Sequence, residues 1–126
     1  MWLTPWIGER VAKYEKSFKG DLDEFLAAVE ASILDESASA EIVDATDVMV
    51  GKTRVAVRVW ERFGMLGSSR VSLSLTVAGC DGWVYASAIG SGGSQAVMFK
   101  INTISEENFL ATAVSAIDAA ASRWES

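Results

Sequence analysis

The strongest constraint on the fold is a strict alternation of apolar and polar residues in the middle of the chain. Four large aliphatic residues occupy every second position there, separated by small polar ones: Val71, Ser72, Leu73, Ser74, Leu75, Thr76 and Val77. Because successive side chains of a strand point to opposite faces, this segment has one buried and one wet face. The pattern is typical of an antiparallel sheet that is covered on one side only.

Similar patterns predict the other elements. Strands are expected at 11–18, 40–44, 53–63, 70–78, 83–89 and 96–102. A helix is predicted to begin at Asp21, with Glu24 in a capping box, and to end near 35–37. A second helix is predicted to begin at Ser105 and to continue its apolar stripe to Trp124. Asp81-Gly82 favours a tight hairpin turn, and residues 90–95 read as a loop.

The order β-α-β-β-β-β-β-α predicts a single α+β domain over residues 11–126. We expect a curved antiparallel sheet of five to six strands with the long C-terminal helix packed on it. A flatter two-layer arrangement, with both helices on one face of the sheet, is the alternative. A chain of 126 residues fits one domain of ordinary size.

Residues 1–10 form a separate N-terminal extension in this interpretation. They carry four large apolar side chains around Pro5, without a strand or helix period: Trp2, Leu3, Trp6 and Ile7. The segment is either a loose extension or an apolar arm that docks on its own domain or on a neighbouring subunit. Docking would bury two indoles that are costly to leave in water.

Three segments carry a family resemblance: 12–20, 55–63 and 94–103. Together they resemble a family of small bacterial proteins, chiefly from Gram-positive anaerobes, known only as a domain of unknown function. The element order from Val11 to Trp124 is also similar to a reduced helix-grip arrangement, as in the plant-allergen and lipid-transfer superfamily. The resemblance implies a bacterial cytoplasmic protein, and it implies no activity, substrate or catalytic residue.

The composition bears on the cellular compartment of the protein and on the kind of partner that it binds. The single cysteine, Cys80, fits an oxidising compartment poorly, and neither a signal peptide nor a membrane-spanning apolar stretch is recognisable. We therefore expect a cytoplasmic protein that does not enter membranes. Eleven basic against seventeen acidic residues give a net charge of -6, which disfavours nucleic acid as a partner.

The sequence contains few of the residues that enzymes commonly use for catalysis. The chain has no histidine, so histidine-based triads and histidine metal sites are excluded. One cysteine is too few for a thiolate zinc site. Hydrolysis by paired carboxylates is the alternative that the composition leaves open, but the carboxylates fall mostly at turns, helix starts and outward strand positions, where solvation explains them. We expect no enzymatic activity, no cofactor and no metal.

Two segments are candidates for anion or surface recognition. Arg54, Arg58 and Arg62 share one face of a strand with Trp60, which suits anions or single-stranded nucleic acid. The same side chains would also make an ordinary solvated face, with the arginines paired to acidic neighbours. The second candidate is the glycine-rich loop, whose amides could cradle an anion or simply form a hairpin: Gly92, Gly93 and Ser94.

Two functional hypotheses follow. The first is a non-enzymatic binding module that holds a small apolar or amphipathic ligand between the sheet and the C-terminal helix. Its cavity would be lined by five aromatic residues, although a filled core would use the same ones: Tyr14, Phe18, Trp83, Tyr85 and Phe99. The second is a homodimeric protein–protein interaction module without a ligand. Its anchors would be Trp2 and Trp6 of the extension, with Met65 and Leu66 at a hairpin tip.

Overall fold

A computed structural model describes residues 12–36, 39–63, 70–92 and 103–125. Strand β1 (Ala12–Lys19) is followed by helix α1 (Leu22–Glu36) and by four consecutive strands. These are β2 (Glu41–Val50), β3 (Thr53–Phe63), β4 (Arg70–Cys80) and β5 (Trp83–Gly92). Helix α2 (Thr103–Ala121) and a short 3-10 turn (Ser122–Trp124) complete the described elements. The predicted α+β class and the C-terminal helix are confirmed.

The strands form one five-stranded sheet in the order β1-β5-β4-β3-β2, and all neighbours are antiparallel. Tight turns connect β2 to β3 and β4 to β5, where the backbone takes positive φ values. Gly51 has a φ of 60° between β2 and β3, and Asp81 and Gly82 have φ values of 54° and 79° between β4 and β5. Two successive positive φ values characterise the type I′ turn that Asp-Gly predicts.

Helix α1 begins as the sequence predicts. The Asp21 carboxylate accepts the backbone N–H of Glu24 over 2.9 Å, and the Asp21 carbonyl accepts the N–H of Phe25 over 3.0 Å. The side chain of Asp21 therefore caps one of the helix's otherwise unpaired N–H groups.

Both helices lie on the same face of the sheet. Glu30 of α1 reaches Arg58, and Phe109 of α2 lies against Arg62, which shares the side of β3 that carries Arg58. The core between helices and sheet contains many fully buried large side chains, among them Trp60, Phe25, Phe109, Ile33, Leu73, Leu75 and Ile117. Burial of this apolar layer is the main stabilising term of the fold. We call the opposite side of the sheet, which neither helix covers, the open face.

The arginine-bearing side of β3 faces the helices. Trp60 lies opposite Leu73 of β4, so both side chains point into the core, and Trp60 is only 1% exposed. The interpretation of this side as a solvated or recognition face is therefore wrong for Trp60. The valines that alternate with these residues along β3 lie on the open face: Val55, Val57 and Val59.

Several element boundaries differ from the sequence prediction. Strand β2 continues to Val50 rather than ending at 44, because it pairs along its length with β3. Gly90–Gly92 extend β5 by pairing with β4 and are not part of a loop. The strand predicted at 96–102 lies outside the described residues. Within the described ranges, no helix is both long and apolar enough to span a membrane.

Candidate functional site

The least protected surface of the described structure is β2, one of the two outer strands of the sheet. Every residue of β2 is exposed. Its large apolar side chains keep much of their surface in water: Ile42 48%, Val43 46%, Val48 44%, Met49 59% and Val50 64%. An edge strand also presents a row of unpaired N–H and C=O groups. This combination makes β2 a ready template for an added strand.

The other outer strand, β1, is protected against such pairing. It has 8 residues against 10 in β2, and it carries lysine at positions 13, 16 and 19. Lysine on an edge strand opposes the addition of another strand, because its charge would have to be desolvated. Strand β2 contains no lysine, arginine or proline. Its only irregularity is a register shift between Ile42 and Asp44.

The carboxylate in the middle of β2 is neutralised from within the sheet. Asp47 accepts hydrogen bonds from Arg58 over 3.2 Å and from Arg54 over 3.4 Å. The hydrogen bond from Arg58 is the main cause that lowers the pKa of Asp47. A paired Asp47 repels an approaching strand less than an isolated carboxylate would.

The three arginines of β3 form a ladder under α1 and α2. Nε of Arg58 donates to Glu30 over 2.6 Å, and Arg54 pairs with Asp23. The guanidinium carbon of Arg62 lies 4.4 Å from the centroid of the Phe109 ring, and burial lowers its pKa. Arg54 and Arg58 therefore pair with acidic neighbours, as in the second of the two interpretations of this strand face, and not with an external anion.

A second apolar patch lies on the open face, near β1. It consists of three exposed side chains of β5: Trp83 53%, Tyr85 38% and Ile89 37%. The ammonium of Lys19 lies 5.4 Å from the centroid of the Trp83 ring, and the Tyr85 hydroxyl donates to Glu15. A groove of about 220 Å³ runs beside Trp83 and Tyr85 and is also lined by Cys80. We call these three side chains the β5 patch.

The structure divides the predicted ligand-binding residues between the two sides of the sheet. Tyr14 and Phe18 point toward the helices, whereas Trp83 and Tyr85 belong to the β5 patch. The Tyr14 hydroxyl donates to Asp118 over 2.5 Å, which is the main cause that raises the pKa of Tyr14. Phe18 is 4% exposed and lies in the core. The four described residues therefore do not line one common site.

The remaining predicted residues have little or no described structure. Gly92 ends β5, and the others lie outside the described residues: Phe99, Gly93, Ser94, Trp2, Trp6, Met65 and Leu66. Strand β2 was not predicted as a site. The available signal was its lack of alternation, since apolar residues at 42, 43, 48, 49 and 50 fit neither a half-buried strand nor a helix stripe.

No metal centre is found in the part of the chain that the structure describes, because no three His, Cys, Asp or Glu residues there are grouped to hold an ion.

Comparison with known families identifies the chain. The family described as "Family of unknown function (DUF6054)" matches residues 11–121. The protein belongs to this family. The predicted membership of a domain family without known function is confirmed, and the match starts where the N-terminal extension was predicted to end. No curated protein matches the chain.

Solved structures support the fold. The chain is similar to the hypothetical protein jhp0584 from Helicobacter pylori, with a TM-score of 0.53, 10% identity, and coverage of 96% of this chain and 95% of that one. For a protein from Nitrosospira multiformis the TM-score is 0.41 at 10% identity, and the match covers 91% of this chain and 97% of that one. For the protein TTHA0849 from Thermus thermophilus the TM-score is 0.36 at 7% identity, and the match covers 92% of this chain and 99% of that one. The first likeness concerns the fold alone, and the two lower scores carry no argument.

Proposed function

We propose that this protein is a non-enzymatic, homodimeric protein–protein interaction module, and that β2 of one copy pairs with β2 of a second copy. The observation that carries the proposal is the exposure of all residues of β2 on a sheet edge without lysine or proline. Strand addition satisfies the free backbone groups and buries apolar side chains at the same time.

A second copy suits this edge because β2 can pair with itself without opposing like charges. In an antiparallel pair related by a two-fold axis at Thr46, Asp44 of one copy lies opposite Val48 of the other, and Asp47 lies opposite Ala45. Moving the axis to Asp47 would place the two Asp47 carboxylates opposite each other, which is destabilising. We therefore place the axis at Thr46.

The same register brings the apolar ends of the two strands together. Ile42 and Val43 at the start of one β2 come near Met49 and Val50 at the end of the other, with Ile42 and Val50 on opposite faces of the sheet because of the register shift after Ile42. These four side chains are 46–64% exposed in the single chain. Cross-strand apolar neighbours stabilise a pair of strands by about 0.2–1 kcal/mol each. The two-fold axis is perpendicular to the sheet, so the helices of both copies lie on one side of a continuous sheet.

The ligand-binding hypothesis finds less support. It requires space between the sheet and the C-terminal helix, where Trp60, Leu73 and Phe109 are 1%, 0% and 0% exposed. Side chains so fully covered have no water-sized void beside them. The dimer anchors suggested by the sequence, Trp2, Trp6, Met65 and Leu66, are not needed for the β2 pair.

The proposal is tested by the mass of the full chain in solution, measured by sedimentation equilibrium. We expect twice the chain mass of 13.5 kDa. Val48→Asp would place a carboxylate opposite Asp44 at both symmetric positions, and we expect it to weaken the dimer roughly tenfold. Val48→Lys would place an ammonium opposite Asp44 instead, and we expect it to weaken the dimer less than Val48→Asp does.

A matched control is available on α1. Leu34 is 54% exposed, similar to the β2 side chains, but it lies on helix α1 and not on a strand of the sheet. Leu34→Asp should leave the dimer intact. A monomeric wild-type chain, or a dimer weakened equally by Leu34→Asp and Val48→Asp, would refute pairing through β2. Equal weakening by Val48→Asp and Val48→Lys would keep β2 as the interface but reject the Thr46 register, in which only the aspartate opposes a like charge.

A further inference from the structure

The β5 patch needs an occupant different from a second β2, because it lies near the opposite edge of the sheet. Between it and β2 lie β4 and β3, each adding about 4.8 Å of sheet width. Its three side chains point to the open face, which neither helix covers. Exposed aromatic side chains grouped on one surface indicate a contact site.

The N-terminal segment is joined to the sheet next to this patch. Ala12, the first residue of β1, pairs with Gly90, and Lys13 pairs with Ile89 of the patch. The described chain therefore begins at the corner of the sheet where the patch begins. Eleven residues extend at most about 36 Å, whereas the six steps from Ile89 to Trp83 cover about 20 Å. The segment is long enough to follow the whole patch.

The large side chains have the same spacing in the N-terminal segment and in the β5 patch. Trp2 and Trp6 are four positions apart, so they share one side of an extended segment. Tyr85 and Ile89 are also four positions apart on one face of β5. If residues 8–11 form the reversal, the segment before them runs antiparallel to β1 over the open face, and Trp6 comes to lie near Ile89 and Trp2 near Tyr85.

The groove beside Tyr85 has the size of a side-chain site. Its volume of about 220 Å³ is below the roughly 300–1,000 Å³ of pockets that hold drug-sized ligands. The segment also complements the patch chemically, because residues 1–8 contain no charged side chain.

We propose that residues 1–8 dock on the open face of their own domain, with Trp6 on Ile89 and with Trp2 in the groove between Tyr85 and Trp83. The docked segment covers the β5 patch and leaves β2 free. This inference does not depend on the proposed dimer.

Cys80 provides a built-in reporter, since it lines the groove and is the only cysteine of the chain. The experiment measures the rate at which a thiol reagent modifies Cys80 in the folded full-length protein. In Trp2→Ser/Trp6→Ser, we expect modification to be about fivefold faster or more, because docking no longer shields the groove. The control Leu3→Ser/Ile7→Ser alters the other side of the extended segment and should keep the wild-type rate.

A second variant tests the patch itself. Ile89→Lys should also accelerate modification, whereas Leu34→Lys on α1 should not. Equal rates in the wild type, in Trp2→Ser/Trp6→Ser and in Ile89→Lys would overturn the proposal. The wild-type rate should also be independent of protein concentration. If protection is lost on dilution, the segment of a second copy covers the patch, and docking on the same domain is refuted.

Discussion

Nε of Arg58 in β3 donates a hydrogen bond to Oε2 of Glu30 in α1 over 2.6 Å. The Arg58 side chain is only 12% exposed and that of Glu30 is 33% exposed, so the ion pair is partly shielded from water. It joins the first helix to a strand that lies 28 residues away in the sequence.

Removing the charge of Glu30 should therefore destabilise the fold. We expect Glu30→Gln to lower the free energy of unfolding by about 1–2 kcal/mol, because Arg58 keeps its charge in a partly buried site. Urea unfolding measures the change. The control is Glu24→Gln, whose partner Arg123 is 3.5 Å away and where both side chains are exposed. That variant should change stability by less than about 0.5 kcal/mol, and equal losses in the two would contradict the shielded character of the Arg58 pair.

The acid stability of the protein should depend on Asp47. Its pKa is lowered, chiefly by the hydrogen bond from Arg58. A carboxyl group with a folded-state pKa below its unfolded value, near 3.9, contributes stability above that value, and the contribution is lost as the pH falls through the folded-state pKa. Asp47→Asn should be less stable than wild type at neutral pH, and the difference should shrink below about pH 4.

Urea unfolding midpoints measured across that pH range test this expectation. Asp35→Asn, at the exposed end of α1, is the matched control, and its stability should run parallel to that of wild type. A constant difference between Asp47→Asn and wild type at all pH values would show that Asp47 acts through packing rather than charge.

The contact between Gly20 and Trp124 should tolerate no side chain. A Cβ at Gly20 would lie 2.8 Å from Cδ2 of Trp124 and 2.9 Å from Cε2 of Phe18. These two rings stack with centroids 5.8 Å apart, so neither can move freely. We expect Gly20→Ala to lower the free energy of unfolding by about 1–3 kcal/mol. In the Trp124→Leu background the same change should cost less, and an undiminished cost would place its cause in the backbone instead.

The two sides of β3 should respond differently to truncation. Trp60→Ala removes a fully buried side chain and should cost about 3–5 kcal/mol in the free energy of unfolding. Val57→Ala acts on the open face, where the side chain is partly exposed, and should cost about 1 kcal/mol or less. Thermal or urea unfolding compares them. If Val57→Ala proved the more damaging change, the assignment of the two faces would be wrong.

The candidate surfaces were only partly predictable. Trp83 and Tyr85 are exposed because they lie on the open face of β5. From the sequence they were predicted to line one cavity with Tyr14 and Phe18, because all four are aromatic. Which face an aromatic residue joins depends on strand register, and register is set by pairing between distant segments. The edge position of β2 was likewise hidden, because the order of strands in the sheet is a property of the whole chain.

Local chemistry determined the pieces of this protein. Alternation located most strands, Asp21 fixed the start of α1, and Asp81-Gly82 made the turn between β4 and β5, since each depends on neighbouring residues alone. Only the tertiary structure decided that Trp60 faces the helices and that β2 is an unprotected edge. Both sides of β3 carry apolar residues, so its orientation is decided by pairing with β4, where burying Trp60 beside Leu73 removes the larger apolar surface from water.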